Sequence, residues 1–116
     1  MTNVIFKRHP EEGAVEMRVQ GHVGFDVAGR DLVCAGASTL ALTVAQCIEA
    51  MTEKMQKAPN IIVKSGTVRV VAKPKPEFYG EALHVFAVGQ VGFQILADAF
   101  PENITLTKFT TPARAE

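Results

Sequence analysis

The chain has 116 residues, 47% of them hydrophobic, with Lys plus Arg matched by Asp plus Glu at 12 each and only two cysteines. That length accommodates a single domain over residues 1–116 with a modest core. A formal charge of zero without runs of like charge argues against direct nucleic-acid binding or an acidic membrane partner.

The amino-terminal stretch MTNVIFKRHPEEG lacks the apolar core of a signal peptide, and no stretch is read as long enough to span a bilayer, so a cytoplasmic protein is expected. Residues 3–8 and 14–20 alternate apolar and polar, and the segment from His9 to Gly13 between them contains Pro10 and Gly13, which predicts a hairpin. His22 follows the alternation of Val15, Met17 and Val19 and should stand where that strand ends. From about residue 33 to 57 the pattern turns helical, with Leu40, Val44, Ile48, Met51 and Met55 at spacings of four, four, three and four, until Ala58-Pro59-Asn60 stops it. Residues 61–64 and 67–73 flank Ser65-Gly66 and read as a second hairpin, ended by Lys73-Pro74-Lys75-Pro76. A second helix is expected from about Glu77 to Ala99, stopped by Phe100-Pro101, then a last strand over residues 104–109 and a frayed tail.

Hairpin, helix, hairpin, helix and strand in that order predict a two-layer α+β fold: an antiparallel or mixed sheet of about five strands with both helices on one face. The second helix is apolar around most of its circumference, with a narrow polar stripe at Gln90, Gln94 and Asp98. Two readings follow: a central helix buried between the sheet and the first helix, or a subunit interface and hence a homodimer.

Both cysteines fall on the first helix, thirteen residues apart, on different faces and too distant to bridge, as reduced cytosolic thiols would be. Cys47 lies within the Val44–Ile48 apolar stripe and reads as core. Cys34 is either a small buried hydrophobe or a nucleophile. The nucleophile reading rests on His22 twelve residues earlier as its base, on a flexible loop with Gly21, Gly24 and Gly29, and on small residues that leave the sulfur accessible. A first-turn position would favour the thiolate and would aim helix amides at an oxyanion. Asp31 is either the helix N-cap, accepting from the amides of Val33 and Cys34, or an orienting partner for His22. Ser38, one helical turn after Cys34, could donate to a thiolate or a substrate carbonyl, or bond back to its own helix. His9 and His84 have no Cys, Asp or Glu at zinc-type spacing, and no glycine pattern matches a phosphate loop, so neither metal nor cofactor is expected.

Gly21-His22, the glycine-containing loop and Asp31-Leu32-Val33-Cys34-Ala35-Gly36-Ala37-Ser38 together resemble the signature of the ribosomal-processing cysteine protease family, Prp. The likeness in order of elements extends over nearly the whole chain. It implies a homodimeric cysteine endopeptidase with Cys34 as nucleophile and His22 as base. Its partner would be the large-subunit ribosomal protein numbered twenty-seven, whose N-terminal extension such enzymes remove so that ribosomes assemble. Two positions depart from the family pattern: Val23 stands where a small residue is usual, and TLALTVAQCIEA continues the first helix where relatives carry a segment of Phe, Gly, Ser and Asn. These bear on helix packing and substrate preference. The contrasting classes are a non-catalytic, ribosome-associated dimeric interaction protein and a thiol hydrolase of small amides or esters.

Overall fold

The structure, a computed structural model, describes residues 1–21 and 28–109, with the side chains of 28–31 outside that description. Its frame is a hairpin of β1 (Thr2–His9) and β2 (Ala14–Gln20), closed by a turn in which Glu12 N–H donates to His9 C=O at 3.0 Å. Alternation decides what faces inward. Val4 and Phe6 from β1, with Val15, Met17 and Val19 from β2, are all buried on one side of the sheet. The second hairpin joins β3 (Asn60–Lys64) to β4 (Thr67–Ala72) through Ser65-Gly66, the turn expected there. β2 pairs antiparallel with β4, while the other edge of β1 takes β5 (Ile104–Thr107) in parallel, giving the order β3-β4-β2-β1-β5. A mixed five-stranded sheet is therefore present, as the order of elements predicts.

Two helices cover the apolar face: α1 (Ala28–Glu49) and α2 (Tyr79–Ala99). α1 buries Val33, Ala37, Ala41, Val44, Ala45 and Ile48, and α2 buries Ala82, Phe86, Gly89 and Phe93. Phe93 meets Phe6 at a ring-centroid distance of 5.9 Å, and Phe109 meets the same ring edge-on at 6.2 Å. The helices approach closely because α2 is bare at the crossing. A Cβ on Gly89 would lie 2.4 Å from the Val44 side chain.

Three expectations change. α1 spans Ala28–Glu49 rather than about 33–57. Ala28-Gly29-Arg30-Asp31 offers no large apolar residue in sequence and Leu32 is exposed, so periodicity misses the first turn, although an acidic residue near a helix start is favourable. Beyond Glu49 a short 3-10 turn at Thr52–Lys54 carries Met51 and Met55 into the core, and the Gln56 amide donates to Lys73 C=O at 2.8 Å, tying the helix end to β4. The reading of α2 as a central buried helix is also overturned: α2 lies beside α1 in a single helical layer, leaving Val88, Val91 and Ile95 at 58%, 60% and 66% exposure. Finally, Leu32–Glu49 and Pro76–Ala99 are each long and apolar enough to cross a bilayer by length and composition, which the sequence reading did not recognise. Their inner faces are packed on the sheet.

Candidate active site

Cys34 is the seventh residue of α1, in its second turn, half-buried and packed against the core beside buried Val33 and Ala37. It borders a groove of about 280 Å³ between α1 and one end of the sheet. Three elements converge there: the start of β1 at Thr2, β2 at Val19, and the β3–β4 turn from Val63 to Val68. Their alignment is a matter of register, since Val63 opposes Val68, Val68 opposes Val19, and Val19 opposes Val4 across the strands. These valines make much of the wall apolar, while Lys64, Ser65 and Thr67 bring polar groups to it at the turn.

Gly21 fixes how the chain leaves this end of the sheet. Its N–H donates to Gly66 C=O at 3.0 Å, and its φ of 107° lies in the region that favours glycine. A Cβ at that position would lie 2.4 Å from the carbonyl oxygen of Met1, so no larger residue fits without moving the amino terminus. The residue immediately before His22 is thus pinned to the turn that lines the Cys34 groove. His22 and Gly24 themselves, and with them the pairing of imidazole and thiol, lie outside the described residues. So does the tail expected to fray.

The other site residues fall in places that spacing alone did not give. Gly29, expected in the loop, and Asp31 both belong to the helical backbone of α1; Asp31 is its fourth residue, so it is not the N-cap, and its side chain lies outside the description. With α1 starting at Ala28, the amides following Cys34 belong to the helix interior, where each bonds a carbonyl four residues back. They are not free to receive an oxyanion, contrary to expectation. Ser38 is better placed. It is exposed, borders the same groove as Cys34 and makes no hydrogen bond among the described residues, whereas Thr39 and Thr43 donate back to Ala35 C=O and Thr39 C=O at 2.8 and 2.6 Å. The back-bonding alternative therefore does not apply to Ser38.

Cys47 is exposed rather than core, because it projects to the outer side of the Val44–Ile48 stripe, where it shares a cavity of about 240 Å³ with His84, also exposed, between the two helices. Both cysteines are free. A large electrostatic perturbation lies on the opposite face of the sheet. There Glu16 is 4% exposed, and its carboxylate accepts from Arg18 and Arg69 at 3.0 Å each and meets His9 Nε2 at 2.9 Å. Burial raises its pKa, but the bonds from His9, Arg69 and Arg18 outweigh burial and bring it from an ordinary 4.5 to about 2. Glu16 is thus a structural carboxylate, well away from the thiol. Sequence reading missed Thr2 and the β3–β4 turn as walls of the groove, since both are brought to Cys34 only by the strand order.

Residues 1–105 match the family described as cysteine protease Prp. No curated protein sequence matches the chain. Among solved structures, the chain is similar to SMU.848 from Streptococcus mutans at 22% identity and a TM-score of 0.69, covering 96% of each chain. It is also similar to the ribosomal processing protease Prp from Staphylococcus aureus in complex with a substrate peptide, at 23% identity and a TM-score of 0.67, with 94% of this chain and 100% of that one covered. The same S. aureus protein with a covalently linked product peptide gives 24% identity and a TM-score of 0.68 over the same shares. At these identities the structural likeness speaks for the fold.

Proposed function

The chain belongs to the cysteine protease Prp family and is a cysteine protease, and on that premise we propose that it removes the N-terminal extension of the large-subunit ribosomal protein numbered twenty-seven, in the cytoplasm and as a homodimer. The family match removes the non-catalytic alternative. The observation that carries the proposal is the groove beside Cys34: an open apolar cleft with a half-buried thiol on one wall, one end of which is tied through Gly66 to the residue preceding His22. That the S. aureus relative was solved with substrate and product peptides supports a peptide substrate for this chain too.

In this reading His22 takes the proton from Cys34 Sγ, and the thiolate attacks the scissile carbonyl carbon to give a tetrahedral oxyanion. The imidazolium returns that proton to the departing amine as the C–N bond breaks, leaving a thioester. Water, deprotonated by the same imidazole, then attacks the thioester and frees Cys34 and the acyl product. Ser38, uncommitted on the groove rim, is assigned as an oxyanion donor in place of the helix amides. Asp31 is assigned to orient His22.

The test is cleavage of an extension peptide. Cys34→Ala should abolish it while melting at the parent temperature, and His22→Ala should slow the saturated rate by about 10² to 10⁴. Full activity in Cys34→Ala would remove the assignment of the nucleophile. A His22→Ala variant with near-parent rate but collapsed affinity would make His22 a recognition residue.

A further inference from the structure

We propose that Thr2 determines substrate specificity in the Cys34 groove: its hydroxyl hydrogen-bonds the neutral polar tip of a substrate side chain whose apolar stem lies against the valines. This deepens the protease reading and rests on it. Thr2 continues the inward row of Val4 and Phe6, so its side chain points to the helix side of the sheet, where it lines the groove. It is 2% exposed, and its Oγ1 is a buried side-chain polar atom with no hydrogen-bond partner among the described residues.

A buried hydroxyl without a partner costs stability that an isosteric valine would not. Thr2 is moreover held in place. Its N–H donates to Asn103 C=O at 2.8 Å, and the carbonyl of Met1 before it packs against Gly21. A fixed, unpaired hydroxyl in a cleft walled by Val19, Val63 and Val68 is suited to a side chain ending in an amide, phenol or hydroxyl. A cationic end would lose its hydration without gaining a counter-charge, and a carboxylate would be drawn to Lys64 at the turn instead of to Thr2. The hydroxyl discriminates because an apolar isostere leaves it unpaired.

The probe is a set of extension peptides in which each position in turn carries Gln or Met, and Tyr or Phe, compared by kcat/KM on the parent, Thr2→Val and Thr2→Ser. At one position the parent should favour the polar member of a pair by about 3–10-fold. Thr2→Val should bring that ratio to about one and Thr2→Ser should restore it. Thr2→Val should melt at or above the parent temperature. A ratio unchanged by Thr2→Val, no discrimination by the parent at any position, or a fall of several degrees in the melting temperature would overturn the proposal. The same peptides titrated onto Cys34→Ala separate the two readings. Discrimination in Kd without cleavage by the parent would sink the protease mechanism and uphold Thr2, and its absence there as well would sink both.

Discussion

Glu16 illustrates how a single residue on the open face of a sheet can be held ionised despite burial. Two guanidiniums and an imidazole nitrogen surround a carboxylate that is 4% exposed, and together they hold its pKa down at about 2 instead of 4.5. A depressed carboxylate pKa contributes stability that is complete above the unfolded value and disappears as pH falls through the folded one. For Glu16 that window runs from 4.5 down to about 2. The melting temperature of the parent should therefore fall more steeply across this window than that of Glu16→Gln. At neutral pH the variant should be less stable by about 1–3 kcal/mol, because Arg18 and Arg69 lose a charged acceptor but remain partly solvated. Urea unfolding of both proteins at several pH values measures this, and parallel curves would remove Glu16 from the stability balance. The two thiols give a second residue-scale test. Cys47 is exposed and Cys34 half-buried, so exposure alone favours labelling of Cys47 by an alkylating agent. Activation of Cys34 by His22 should appear as a labelling rate at Cys34 that drops in His22→Ala while the rate at Cys47 holds. Peptide mass mapping after brief labelling reads both rates.

Among elements, the packing of α2 on α1 depends on a missing side chain. Gly89→Ala would gain helix propensity of about 1 kcal/mol, yet its Cβ would meet Val44 Cγ2 at 2.4 Å, and Val44 is a stiff, buried, β-branched residue. Overpacking of a close crossing costs about 1–3 kcal/mol, so the variant should melt below the parent. Gly80→Ala, also on α2 but with nothing within 4 Å of the added methyl, should melt at or above the parent and serves as the control. The elements also show what sequence patterning could reveal. Strands β1 to β4 were legible to within about a residue because period-two alternation reports directly on burial: Val15, Met17 and Val19 read as one face and are one face. The start of α1 was not legible, since the sequence Ala28-Gly29-Arg30-Asp31 has no large apolar residue to begin a helical periodicity, which takes up only at Val33. Cys47 misled for a related reason, as a residue flanked in sequence by Val44 and Ile48 can still project to the other side of the helix. Cys34 and His22 stood out in sequence as a thiol and an imidazole near glycines. Thr2 carried no such signal, because nothing local tells that the amino-terminal strand ends against the wall of the cleft.

At the scale of the whole molecule, the fold is two layers thick, and among the described residues nothing covers the outer side of its helical layer. Leu32 at 64% exposure joins Val88, Val91 and Ile95 on the uncovered side, and the apolar cavity bordered by Leu32, Leu40, Ile95 and Phe100 lies between the same two helices. A second copy of the chain is the occupant that the proposed homodimer supplies, burying these residues symmetrically about a two-fold axis. Such an interface links stability to concentration, because mass action favours the folded dimer as protein is added. The parent's melting temperature should therefore rise with protein concentration, and sedimentation should give the mass of two chains. Val88→Glu combined with Val91→Glu would place two carboxylates on each helix across from their symmetry mates, with both charges lying outside the packed core. The double variant should sediment as a single chain, keep the far-ultraviolet spectrum of the parent, and melt independently of concentration. A parent that is monomeric at tens of micromolar, or a double variant that remains dimeric, would move the interface off the helical face and leave those valines to be explained by another partner.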